Sequence, residues 1–417
     1  MIRMPSLSLT RHSRRTLLYP ILCGGLVMGL ALGIRHVQGL FMLPMTLDRG
    51  WSRETFAFAL AIQNLALGFA QPLSGMLADR FGGAKVIAAG TLLYGLGLAV
   101  MSSASTPMGL YLGCGLIVGV ALSCTAFGVV YGVLSRLAPE SDRGWSLGLA
   151  GAIGGFGQFV AVPATQALLD AFGWGWALLV LGASMAALAI LAPQLNDKST
   201  ATSGVGTGVT RPTQPMGKAI RQALGHQGFW LLNLGFLACG FQLAFVASHL
   251  PAYLLDKGVP AQVAVTGLAV IALTNIVGTF ACGHLGDLYR RKHLLAMVYL
   301  IRTAAMALFV LCPVSATSVY LFCGAMGLLW LGTAPLTNGL VSQVFGVQYI
   351  GTLFGLVFLG HQLGAFLGVW LGGYVFDTTR SYDTVWIGAM VLGLMAAALH
   401  WPIDDRPLRP AAVPKPA

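Results

Sequence analysis

Twelve uninterrupted apolar runs, separated by short polar loops, leave this chain very few ways to fold. They lie at about residues 17–46, 54–78, 86–104, 108–135, 145–170, 174–193, 227–254, 261–285, 294–313, 317–341, 350–377 and 383–401. An α-helix needs about 20 such residues to cross a hydrocarbon core of about 30 Å. Lipid offers backbone amides no partner, so each run must close its own hydrogen bonds as a helix. With 56% hydrophobic and only 9% charged residues, a water-soluble globule is excluded. The sequence therefore predicts an all-α membrane protein of twelve spans, numbered here in chain order.

The runs fall into two similar sets of six. Gly75-Met-Leu-Ala-Asp79-Arg80-Phe-Gly82-Gly-Ala-Lys85 recurs 208 residues later as Gly283-His-Leu-Gly-Asp287-Leu-Tyr-Arg290-Arg291-Lys292, and Asp48-Arg49-Gly50 recurs at the same offset as Asp256-Lys257-Gly258. Around the fourth loops, Gly144, Gly148 and Gly157 return at Gly351, Gly355 and Gly364, an offset of 207. An even number of spans per half makes the halves parallel, related by a pseudo-two-fold axis along the membrane normal. The expected organisation is a tail (1–16), a six-helix bundle (17–193), a linker (194–224), a second bundle (225–402) and a tail (403–417). The linker is rich in Ser, Thr, Gly and Pro, especially Thr200–Gly208, and reads as flexible. Its end, Met216–Leu224 with Lys218 and Arg221, fits a short interfacial helix.

A net charge of +11 raises the question of nucleic acid, and the placement of the charge answers it. Of the 24 Lys and Arg, 18 fall on the face that carries both termini and 4 on the opposite face; the remaining 2 lie inside spans. This asymmetry orients the bundle with both termini in the cytoplasm; a multi-pass protein of a bacterial inner membrane is expected, with no nucleic-acid partner. All 7 Cys lie within spans without CxxC spacing, so neither disulfide, metal nor other cofactor is expected. Ser13-Arg14-Arg15 resembles an export signal, but the run that follows is long and lacks a small-residue cleavage site, so an uncleaved first span is expected. The loops contain no P-loop or nucleophile elbow and are too short for a catalytic domain, which argues against an enzyme.

Both repeated loops resemble the signature loop of the major facilitator superfamily, found between spans 2 and 3 and between spans 8 and 9. The resemblance covers about residues 15–402. The first copy has Gly83 where a basic residue is usual, and the second has Arg290 where Gly is usual. Arg49-Gly50-Trp51-Ser52-Arg53-Glu54 and Asp142-Arg143-Gly144 are similar to bacterial monocarboxylate-porter-like and oxalate/formate-type members, although Thr279 stands where the monocarboxylate group commonly has Arg. Locally, Ser52 can cap span 2 and Glu54 suits the positive end of that helix. The resemblance implies a cavity lined by spans 1, 4, 7 and 10, and rocker-switch alternating access. It also implies gating contacts at Gly75, Asp79, Arg80 and Lys85 and at Gly283, Asp287, Arg290 and Arg291.

An ionisable side chain at bilayer depth costs about 3 kcal/mol or more on insertion scales, so each one needs a reason. Arg35 sits 11 residues before Thr46, near the middle of span 1, where a guanidinium can grip a carboxylate with two charge-assisted hydrogen bonds. Arg302 in span 9, a peripheral span by the resemblance, is expected to be chiefly structural and is a secondary candidate with Asn275. All 13 acidic residues fall in loops, tails, the linker or span ends, so no carboxylate is left mid-membrane for a cation or a proton. An anionic substrate is expected, with His36, His249 and His361 as candidates for proton coupling. Gln38, Thr125, Tyr131, Gln242, Trp330 and Asn338 complete the candidate substrate site with Arg35. The expected function is a secondary transporter of a small organic anion, monocarboxylate-like, coupled to protons or a counter-anion and working as a monomer. A transporter of a larger, weakly charged metabolite, vitamin or drug is the alternative, and a transporter-like solute sensor is the rival from another class.

Overall fold

The computed structural model describes residues 7–138, 143–196, 216–346 and 350–408. The centre of the linker, including Thr200–Gly208, and the extreme tails lie outside these residues, as do the side chains of Asp79 and Asp287. Every regular element among the described residues is helical. The spans are Leu17–Arg49, Arg53–Ala78, Gly83–Ser103, Pro107–Leu134, Ser146–Leu195, Gln227–Asp256, Ala261–Gly286, Arg291–Leu311, Ala316–Phe345, Thr352–Thr379 and Asp383–His400. That is 11 segments where the sequence predicts twelve, because Ser146–Leu195 is 50 residues long. At 1.5 Å per residue such a helix would measure about 75 Å, enough to cross the core twice. Gly173 divides it: its φ of 75° and ψ of 172° are not helical and suit glycine alone. Spans 5 and 6 are thus 146–172 and 174–195, which makes twelve spans among the described residues.

Three spans that the hydropathy reads as continuous are interrupted. Span 1 passes through a 3-10 turn at Gln38–Phe41. Span 4 breaks at Ala126, between Val118–Thr125 and Phe127–Leu137. Span 10 breaks between Ala316–Leu328 and Thr333–Phe345. Apolar composition signals only that a segment resides in lipid; it carries no information on where a helix loses its register.

The duplication is visible in the packing. On spans 1 and 5, Gly25 meets Ile153, Gly29 meets Gly157 and Gly33 meets Ala161. On spans 7 and 11, Gly360 meets Asn233, Gly364 meets Leu237 and Gly368 meets Phe241, which are the same three pairs moved by 208 and 207 residues. The halves meet in the same symmetric way. Span 2 packs on span 11 and span 8 on span 5, with Gly68 against Gln362 mirrored by Ile276 against Gly155. Close approach through glycine replaces the hydrophobic driving force that lipid does not supply.

The tail after span 12 is docked back on the bundle. Asp405, whose side chain is 7% exposed, takes a two-pronged contact from Arg290, Nε at 3.1 Å and Nη2 at 2.6 Å. Lys292 Nζ donates to Ile403 O at 2.6 Å, and Leu408 N donates to Val344 O at 2.9 Å. The hydrogen bonds from Arg290 hold the Asp405 carboxyl below the usual carboxylate range. A lowered folded-state pKa contributes stability above the unfolded value of about 3.9 and loses it as pH falls through the folded value. Hydrogen exchange at the Leu408 amide is therefore expected to stay protected at pH 5–7 and to open only in stronger acid. Asp405→Asn should open it at every pH; protection that persists in that variant would refute the latch.

Candidate functional site

Arg35 is half-buried in span 1, two residues before the helix gives way to the 3-10 turn. Its Nη2 donates to Asn64 Oδ1 of span 2 at 2.6 Å, and among the described residues no carboxylate pairs with it. The contact continues across the halves. Gln362 Nε2 of span 11 donates to Asn64 O at 3.2 Å, and Gln362 Oε1 lies 3.0 Å from His361 Nδ1. Three residues beyond Arg35, Gln38 is buried (4% exposed) and its Nε2 has no partner among the described atoms. His36 points elsewhere: Nε2 lies 3.1 Å from Leu268 O of span 8, and its ring meets Trp330 edge-on at 6.4 Å. The structure thus links Arg35 to His361 through Asn64 and Gln362, and sets His36 against Trp330 and Leu268 O instead.

The break in span 10 explains Arg302 and Asn275. A broken helix frees carbonyls and amides that lipid cannot satisfy. Asn275 Oδ1 accepts from Leu331 N at 3.1 Å and from Thr279 Oγ1 at 3.0 Å. Arg302, fully buried, donates through Nη2 to Leu329 O and to Trp330 O, and through Nη1 to Gln242 Oε1 and Cys239 Sγ, both at 3.3 Å. Gln242 is taken up by the same scaffold, since its Nε2 donates to Ala389 O of span 12 at 2.8 Å. Arg302→Leu leaves at least two buried carbonyls without a donor, each costing about 1–3 kcal/mol. The melting temperature is expected to fall by several degrees while the KM for substrate is unchanged. A raised KM in protein of wild-type stability would instead place Arg302 in the site.

The remaining candidates are dispersed. Thr125 is buried at the break in span 4 and bonds Ala121 O of its own helix at 3.0 Å. Tyr131 packs edge-on against Phe127 at 5.3 Å, within span 4. Asn338 is exposed near the end of span 10. His249 of span 7 has both ring nitrogens engaged, Nε2 with Val369 O at 2.8 Å and Nδ1 with Tyr382 Oη at 3.3 Å. In the repeated loops, Lys85 is exposed and the Arg80 guanidinium lies 5.3 Å over the Phe81 ring. Arg290 holds the tail, and Arg291 Nη1 donates to Gln343 Oε1 at 3.0 Å. A gate role for Asp79 and Asp287 falls outside the described side chains.

The clamp between the halves is on the opposite face, where the sequence suggests only local capping. Ser52 does cap span 2, accepting from Thr55 N at 3.1 Å. Arg53 and Glu54, however, reach the other half. Arg53 Nη1 and Nη2 grip the Asp256 carboxylate at 2.5 and 2.7 Å, Nη1 also donates to Tyr382 Oη at 3.1 Å, and the guanidinium lies 3.9 Å over the Phe376 ring. Asp377 of span 11 accepts from the backbone N–H groups of Arg53 and Glu54 at 3.3 and 2.7 Å, so it caps span 2 from across the interface. Trp370 Nε1 donates to Glu54 Oε1 at 3.1 Å. Burial pushes the Tyr382 phenol up to about 12, which keeps it neutral and able to share its proton. Short polar stretches at both span ends mark these residues in the sequence, but separations of 203 and 324 hide the pairing.

Toward the face that carries the termini, four glycines of the spans face open space. A Cβ placed on Gly373 or Gly39, near the clamp, would press on Ala57 or on Ala247 O of the other half. At Gly75, Gly148, Gly283 and Gly355, near the terminal-face ends of spans 2, 5, 8 and 11, it would meet nothing within 4 Å.

Comparison with known proteins agrees with this architecture. The model of the family described as Major Facilitator Superfamily matches residues 21–369. The uncharacterized MFS-type transporter YcxA of Bacillus subtilis is 26% identical over 88% of this chain and 90% of its own. Monocarboxylate transporter 11 of Homo sapiens is 29% identical over 81% of this chain and 71% of its own. A bacterial homolog of the human lysosomal transporter Spinster, inward-facing and unoccupied, superposes with a TM-score of 0.75 at 16% identity, covering 93% of this chain and 96% of that one. The nucleoside transporter NupG gives 0.76 at 15% identity over 93% and 99%. At those identities the structural likeness shows the fold alone.

Proposed function

This chain belongs to the Major Facilitator Superfamily, and within it we propose a secondary active transporter that moves a small organic anion, monocarboxylate-like, by alternating access. It is a membrane transporter and not an enzyme. The observation that carries the anionic substrate is the Arg35 centre. Among the described residues the half-buried guanidinium has one neutral partner, Asn64, and three residues further on Gln38 carries a buried N–H donor with no acceptor. Such donors at bilayer depth are costly unless an acceptor arrives, and a carboxylate supplies both charge and two acceptor oxygens. Monocarboxylate transporters among the relatives support the same class.

The excess of Lys and Arg on the face of the termini assigns that face to the cytoplasm. The Arg53 clamp is then the outer gate, closed here, and the open space beside Gly75, Gly148, Gly283 and Gly355 near the cytoplasmic ends of spans 2, 5, 8 and 11 supports an inward-open reading. Of the three histidines, His361 is our choice for proton coupling, since Gln362 joins it to the Asn64 that holds Arg35. Thermal-shift titration of the purified protein with monocarboxylates, vitamins and organic cations tests the reading. Stabilisation by monocarboxylates and none by cations is expected. Stabilisation by a neutral vitamin or drug alone would move the substrate to a larger, weakly charged class. Binding without flux in vesicles would make the chain a sensor.

A further inference from the structure

A cleft of about 380 Å³ lies apart from the Arg35 centre, beside the clamp, lined by Glu54, Thr55, Phe58, Tyr111 and Trp370. Its walls are three aromatic rings and one carboxylate, drawn from spans 2, 4 and 11. Phe58 stands edge-on to Tyr111 at 5.2 Å and lies 6.4 Å from Trp370. Glu54 has no basic partner among the described residues: Oε1 accepts from Trp370 Nε1, and no Lys or Arg forms an ion pair with it. The nearby Arg53 is committed to Asp256. The face as a whole carries six acidic residues (Asp48, Glu54, Asp170, Asp256, Asp377 and Asp383) against four basic ones (Arg49, Arg53, Lys257 and Arg380).

We propose that this cleft is a second binding site, for an alkylammonium group. Aromatic faces attract a cation through the ring quadrupole, and a neighbouring carboxylate without a cationic partner supplies the counter-charge. The volume falls within the range of small-ligand sites. Two sources offer this chemistry, a soluble amine and the headgroup of a lipid such as phosphatidylethanolamine, whose amine would lie at the level of these span ends. Because Glu54, Thr55, Phe58 and Tyr111 belong to one half and Trp370 to the other, the complete site exists only while the clamp is closed. An occupant therefore favours the closed state over its opening and slows turnover from a distance. The site binds a cation where the Arg35 centre binds an anion, so the two readings stand or fall separately.

Isothermal titration of the detergent-purified protein with tetramethylammonium chloride, in a constant background of sodium chloride, tests the proposal. Saturable binding is expected, weakened about tenfold or more in Glu54→Gln and in Phe58→Leu. Glu54→Gln retains an acceptor for Trp370, and Phe58→Leu leaves the Arg53–Asp256 pair and the Asp377 cap in place, so a folding defect in one leaves the other to decide. No saturable binding to the wild type, or equal affinity in both variants, would overturn the site. In nanodiscs, a lower apparent affinity in phosphatidylethanolamine than in phosphatidylglycerol identifies the lipid headgroup as occupant. Equal affinity in the two lipids assigns the site to soluble amines.

Discussion

Arg35→Ala is expected to abolish uptake of a labelled monocarboxylate in reconstituted vesicles while protein level and melting temperature hold. The guanidinium bonds only Asn64 Oδ1 among the described residues, at 2.6 Å, so its removal leaves one neutral acceptor unpaired and no buried counter-charge. Folding should therefore change little. Binding should change much, because two charge-assisted hydrogen bonds to a carboxylate are lost where water competes poorly. Hydrogen bonds to charged groups contribute about 1.5–3 kcal/mol each, so a fall in kcat/KM of roughly a hundredfold or more is expected. Arg35→Lys keeps the charge and loses the planar fork, so it should fall between wild type and Ala. Asn64→Ala should raise KM by a smaller factor, since Asn64 orients the guanidinium without carrying charge. Undiminished uptake in Arg35→Ala would end the anion-site reading.

Much of the fold was legible in the hydropathy because a bilayer imposes a length on every span. The duplication was legible too, since the 208-residue offset of the charged loops reappears as matched packing at Gly33·Ala161 and Phe241·Gly368. The breaks in spans 1, 4 and 10 were not. They are decided by partners from other helices, such as Asn275 and Arg302 around Leu329–Leu331. The same limit applies to the site. Depth along a helix can be counted, so Arg35 and Arg302 both appear embedded; the resemblance sets Arg302 aside as chiefly structural, and the packing supplies the reason, since Arg302 closes a broken helix while Arg35 has a single neutral partner among the described residues. Gln242 looked available on a lining span, yet its amide is held by Arg302 and Ala389 O. The clamp escaped for a related reason. Its residues are visible as polar span ends, but a contact between positions 53 and 256 leaves no local pattern.

That clamp sets the second large effect. Arg53→Ala removes two hydrogen bonds to Asp256, one to Tyr382 and the stacking on Phe376, while Asp377 still caps span 2 through backbone amides. The pair is partly screened, with side chains 12% and 32% exposed, so a contribution of roughly 1–3 kcal/mol is reasonable. The conformational equilibrium should shift about 10- to 100-fold toward separation at this face. Spin labels at Leu47→Cys and Thr378→Cys, one on each half, would report it in a background with the exposed Cys312 replaced by Ser. A long-distance population should appear in Arg53→Ala and in Asp256→Asn. The double variant should show little more than either single one, because the two residues act as one contact. Turnover should fall at the same time, since the state open at the opposite face is depopulated. Distances unchanged from wild type in both single variants would mean that the glycine contacts, Gly39 of span 1 against span 7 and Gly373 of span 11 against span 2, close this face without the ion pair.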